Sequence, residues 1–63
     1  MEHSIEISVL IDDIEIGLIS KTFEGTYEEA LNEIRATIDR NRKNNPEQEL
    51  QFEVILDHNH ITI

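Results

Sequence analysis

The sequence predicts an α+β fold of two layers, ββαβ or ββαββ, with one helix packed on an antiparallel-rich sheet of three or four strands. Three observations carry that prediction. Apolar residues recur at every second position across 5–18 and again across 50–56. Between these stretches, residues 26–38 combine a helix-capping signature with apolar residues spaced three and four apart. At 63 residues the chain has room for one domain, spanning 1–63.

Ile5, Ile7, Val9 and Ile11 alternate with Glu6, Ser8 and Leu10, the period-two pattern of a strand with one greasy face. Asp12-Asp13 interrupts it, and Ile14, Ile16 and Leu18 resume the alternation. If the aspartates form a two-residue turn, Ile11 faces Ile14, Val9 faces Ile16 and Ile7 faces Leu18, and all six share one side. Such turns favour glycine at the second position, so a longer loop stays open. Beyond Leu18 the phase slips, because Ile19 and Phe23 fall out of step. Gly17 is the residue where a bulge would bring Phe23 back inward, and Gly25 ends the strand.

Thr26-Tyr27-Glu28-Glu29 matches the capping box, in which hydroxyl and carboxylate each serve the other residue's amide. Tyr27, Ala30, Leu31, Ile34 and Ile38 then form one helical stripe. Asn44-Asn45-Pro46 closes the helix, since asparagine tolerates a left-handed exit and proline cannot continue. Leu50, Phe52, Val54 and Leu56 mark another strand. With His58-Asn59 as a loop, Leu56 would face Ile61 and Val54 would face Ile63, which permits a fourth strand without requiring one. The expected core is Ile5 to Leu18 at the alternating positions and Phe23, with Leu31, Ile34, Ile38, Leu50, Phe52 and Val54. Leu10, Ile19 and Ile55 fall on the opposite sheet face.

Fourteen acids against five bases give a formal charge of −9. Phosphate binding needs clustered Lys and Arg, so the composition argues against nucleic acid and anionic membranes as partners. Four of the five bases, Arg35, Arg40, Arg42 and Lys43, gather in the last part of the helix, where cations favour the helix dipole. No apolar run approaches the ~20 residues of a membrane span, and the N-terminus lacks a signal-peptide pattern, so a cytoplasmic protein is expected. Without cysteine, no disulfide or thiolate metal site can reinforce so small a core. Eighteen of the residues are Ile, Leu or Val, and association into a dimer is the other common rescue.

Chemistry finds little purchase. His58 and His60 would share a strand face and could hold a metal with Asp57 and His3, but a working site needs three or four converging ligands. Asp12-Asp13-Ile14-Glu15 lacks the spaced oxygens and the glycine of a calcium loop. Ser4, Ser8 and Ser20 lie on strands with no nucleophile elbow, and the only glycines, Gly17 and Gly25, build no phosphate loop. No enzyme activity and no cofactor are expected.

The stretch from Gly25 through Glu28-Glu29-Ala30-Leu31 to Ile34, Arg35 and Ile38 resembles the helix of HicB-type antitoxins. That resemblance implies a protein that masks a small toxin ribonuclease. Phe23-Glu24-Gly25-Thr26-Tyr27-Glu28-Glu29-Ala30 is similar to the strand-to-helix junction of protein L domains, a β-grasp fold with two strands on each side of its helix and the last strand in the centre. The acidic composition, taken with the HicB-type resemblance, gives the expected function: an acidic, non-enzymatic protein-binding module of the inhibitor or antitoxin type, engaging a basic partner. Asp12, Asp13, Glu15, Glu28 and Glu53 are the candidate charged contacts, and Leu10, Ile19 and Ile55 the candidate apolar ones. A structural subunit of a larger assembly, or a weak metal binder through His58 and His60, are the alternatives.

Overall fold

A computed structural model describes residues 1–63. The elements are β1 (Glu2–Ile11), β2 (Ile14–Glu24), α1 (Tyr27–Asn44), β3 (Gln51–Leu56) and β4 (Asn59–Ile61). All strand pairs are antiparallel, in the order β2-β1-β3-β4, and α1 packs on one side of this open sheet. The fold is therefore α+β in two layers, as the periodicities predict. The short last strand takes an edge rather than the centre, and β1 and β3 occupy the middle.

The core follows directly from the two periodicities. Ile5 and Ile7 of β1 and Val54 and Leu56 of β3 alternate onto the helix side, opposite Ala30, Ile34 and Ile38 of α1. Ile19, Phe23, Leu31, Phe52 and Ile61 pack around this cluster. Burying each fully enclosed aliphatic side chain stabilises the fold by about 1.5–3 kcal/mol.

The sequence register fails in β2. Ile11 does pair with Ile14, but Leu10 pairs with Glu15 and Val9 with Gly17, leaving Ile16 as an extra residue in a bulge. Past the bulge, Gly17, Ile19, Lys21 and Phe23 turn toward the helix opposite Val9, Ile7, Ile5 and His3. Ile14, Ile16 and Leu18, expected in the core, are instead 68%, 56% and 58% exposed. Ile14 keeps its place opposite Ile11 and is exposed at the hairpin tip, whereas for Ile16 and Leu18 the reason lies further along the strand. Unbroken alternation would turn Ser20, Thr22 and Glu24 onto the helix and expel Ile19 and Phe23. The bulge buries those two and also aims Lys21 at α1, where its ammonium donates to Glu33 and to the Thr37 hydroxyl at 3.0 Å. Ile19, expected on the opposite sheet face, thus joins the core side.

Both hairpins use two-residue loops without glycine. Asp12 and Asp13 have φ of 51° and 64°, and Asp57 and His58 have φ of 50° and 67°. This left-handed pair matches the twist of the strands, and aspartate and histidine tolerate it better than most residues. The second loop is Asp57-His58, one residue earlier than the sequence suggested, so Leu56 pairs with Asn59 and Val54 with Ile61. Exchanging His58 for glycine should raise the unfolding free energy by about 0.5–1 kcal/mol, because the left-handed cost of a side chain disappears. Urea denaturation would measure it, and a loss of stability would contradict this account of the turn.

The capping box forms as written, with the Glu29 amide donating to the Thr26 hydroxyl at 3.1 Å and the Thr26 amide to the Glu29 carboxylate at 2.9 Å. Gly25 precedes it at a φ of 156°, and a Cβ there would meet the Phe23 ring at 2.8 Å. Tyr27, expected in the core, is exposed on the first turn. The helix exit is not left-handed: Asn45 has φ −134° and ψ 59°. The Asn45 side-chain amide instead donates to the Asn41 carbonyl at 3.0 Å, and Asn41 does the same for Thr37 at 2.9 Å, before Pro46 stops the chain.

Candidate partner-binding face

Only one side of the sheet is covered. Because neighbours alternate along a strand, Glu2, Ser4, Glu6 and Ser8 of β1 project away from the helix. Their partners across the strands are Glu24, Thr22, Ser20 and Leu18 of β2, with Glu53 and Ile55 of β3 on the other flank. Glu15 and His60 complete this face. It holds five glutamates and neither Lys nor Arg. Lys21, the only such base in any strand, points to the helix, and the other four bases lie on α1. The face is thus uniformly acidic, with hydroxyls between the carboxylates and Leu18 and Ile55 as apolar members.

The candidate contacts divide accordingly. Glu15, Glu53 and Ile55 lie on the uncovered face, and Asp12 and Asp13 form the exposed hairpin tip beside it. Asp13 is tied down by its amide, which donates to the Gln51 side chain at 3.0 Å. Glu28 sits apart, on the first turn of α1 on the other side of the sheet. Leu10 belongs to the uncovered side by alternation but is only 9% exposed, and Ile19 faces the helix, so neither offers the contact expected of it. Glu2, Glu6, Glu24 and Leu18 were missed. The signal for Glu6 was present, since it alternates against Ile5 and Ile7; the bulge hid the others on β2.

A second polar cluster ties the fold together at the opposite end from the hairpin tip. His3 is 3% exposed. Its Nδ1 lies 2.6 Å from Asp57 Oδ2 and its Nε2 lies 3.2 Å from the Gly25 carbonyl. Both partners are acceptors, so the ring satisfies them together only when both nitrogens carry hydrogen. Asp57 Oδ1 also accepts the Ser4 amide at 3.0 Å. One imidazole thereby joins β1, the β2–α1 junction and the β3–β4 turn. Its two nitrogens are thus committed to a carboxylate and a backbone carbonyl, which tie these three segments together. No three His, Asp or Glu side chains converge in metal-binding geometry, and His58 and His60 separate into a turn and a strand.

The His3 ring, with the Ser4 amide, holds the Asp57 carboxyl below the usual carboxylate range. Lys21 does the same for Glu33, and the Thr26 backbone and hydroxyl for Glu29. In each case the folded protein binds the proton less readily than the unfolded chain. The stabilisation is therefore complete above the unfolded value of about pH 4 and disappears as the pH falls through the lower folded values. Urea midpoints should drop as the pH falls below about 4. Asp57→Asn should make that drop shallower; an unchanged profile would show that Asp57 contributes nothing to it.

No protein family model, curated protein or solved structure matches the chain. No helix is long and apolar enough to cross a membrane.

Proposed function

We propose that this chain is a cytoplasmic, non-enzymatic protein-binding module of the inhibitor or antitoxin type, which receives a basic partner surface on the uncovered face of its sheet. The observation that supports it is the segregation of charge: five glutamates and neither Lys nor Arg on that face, where the N-terminal ammonium meets only Glu24 at 2.9 Å, continued by Asp12 and Asp13 at the hairpin tip. A surface of one sign steers oppositely charged partners and repels like-charged ones. The HicB-like stretch in α1 is compatible with this role, since masking the nucleic-acid groove of a ribonuclease needs an acidic surface. The interleaved Leu18 and Ile55 give such a contact an apolar component.

The test is capture of partners from host lysate at low and high salt, with wild type and a Glu6→Lys, Glu53→Lys double variant. A basic protein recovered at low salt, released as salt rises and lost with the double variant is the expected result. Recovery insensitive to both changes would overturn the proposal in favour of a purely structural subunit.

A further inference from the structure

We infer that two copies of this chain pair edge to edge along β2, antiparallel about a two-fold axis at Ser20, and so join their sheets into one. The inference is independent of the partner-binding reading. It rests on four features of the β2 edge.

First, β2 is an outer strand of eleven residues with no neighbour beyond it, a surface that folded proteins seldom leave bare. Second, the bulge at Ile16 limits regular pairing to Gly17–Glu24. Residues paired across antiparallel strands must share a face; centres at Ser20 and at Lys21 use equally much of this segment, and Ser20 is the one that avoids setting two Lys21 side chains opposite each other. It places Leu18 opposite the partner's Thr22, Ile19 opposite the partner's Lys21 and Gly17 opposite the partner's Phe23.

Third, that last pair is complementary in shape. A Cβ built on Gly17 meets nothing within 4 Å, and a cleft of about 260 Å³ opens there between β2 and the end of α1. Phe23 lies on the same helix side of the strand and is only partly buried. An aromatic ring beside an edge glycine covers the backbone that glycine leaves bare. The two-fold axis makes this contact twice.

Fourth, the helices complement each other in charge. Lys21, next to the axis, reaches Glu33 and Thr37, so the axis lies level with the middle of α1. The acidic first turn of each helix, with Glu28 and Glu29, then lies level with the other's basic last turn, with Arg42 and Lys43, a long-range complementarity across the joined strands. Both helices lie on one side, and the two acidic faces become continuous on the other.

Sedimentation at high micromolar concentration should show a dimer. Ser20→Glu, which sets two like charges opposite each other beside the Glu6 of each copy, should give a monomer with an unchanged circular dichroism spectrum, and Ser20→Thr should remain dimeric. Gly17→Val places a side chain in the cleft, where its Cβ meets nothing of its own chain within 4 Å, and should weaken the dimer at least about tenfold, or ~1.4 kcal/mol. Under oxidation, Ser20→Cys should link the copies quickly. Leu18→Cys should not, because its two sulfurs would be held about 14 Å apart. A monomeric wild type, a dimer indifferent to Ser20→Glu, or equal cross-linking from positions 18 and 20 would each overturn the inference.

Discussion

Replacing His3 with alanine is expected to lower the unfolding free energy by about 2–4 kcal/mol. The change removes a ring that is almost fully enclosed and leaves a cavity. It also removes the ring that meets the Gly25 carbonyl and one oxygen of Asp57, and with it the link between three segments of the chain. A domain of this length has only about 3–9 kcal/mol in total, so the variant should unfold at mild urea concentrations. Because the ring acts through Asp57, the costs of His3→Ala and Asp57→Asn should not add. The double variant should be little worse than His3→Ala alone. Full additivity would mean that the two side chains stabilise the fold separately, and a cost for His3→Ala under about 1 kcal/mol would mean that the cluster contributes little.

Ile34→Ala should be equally severe, at about 2–5 kcal/mol, while Ile34→Val should cost about 0.5–1.5 kcal/mol. Ile34 is wholly buried among side chains of β1, β3 and its own helix, with little freedom for the surroundings to collapse into the space. Ile16→Ala is the informative companion. Periodicity alone ranks Ile16 and Ile34 together as core residues, whereas the structure leaves Ile16 in water, so its truncation should change stability by less than about 0.5 kcal/mol. Thermal or urea unfolding of the three variants measures the contrast. Comparable losses at both positions would argue for the unbulged register.

The helix was the most legible element, because its start is encoded locally. Thr26 and Glu29 satisfy each other's amides whatever the rest of the chain does. β1 was legible for a similar reason: as a central strand it keeps strict alternation, and Ile5 and Ile7 are buried as read. β2 was legible only in outline. Gly17 signalled a bulge, but local pattern could not decide which half of the strand would keep its apolar residues inside. That choice depends on where Lys21 finds Glu33 and Thr37, twelve and sixteen residues away. The turn at Asp57 was misplaced for the same kind of reason. Its partner, His3, lies fifty-four residues earlier, and no local rule connects them. Of the candidate face, the carboxylates Glu15 and Glu53 could be nominated by sign and exposure, whereas Leu18 could not, since its side depends on the bulge.

Ile16 has a practical meaning beyond its own exposure. All ten residue pairs between the first two strands are made without it. A chain one residue shorter at this point would close the same ladder, and one altered there would leave that ladder intact. This position is thus a tolerant seam in an otherwise tightly specified hairpin, suited to carrying a fluorophore or an affinity handle while the rest of the molecule is interrogated.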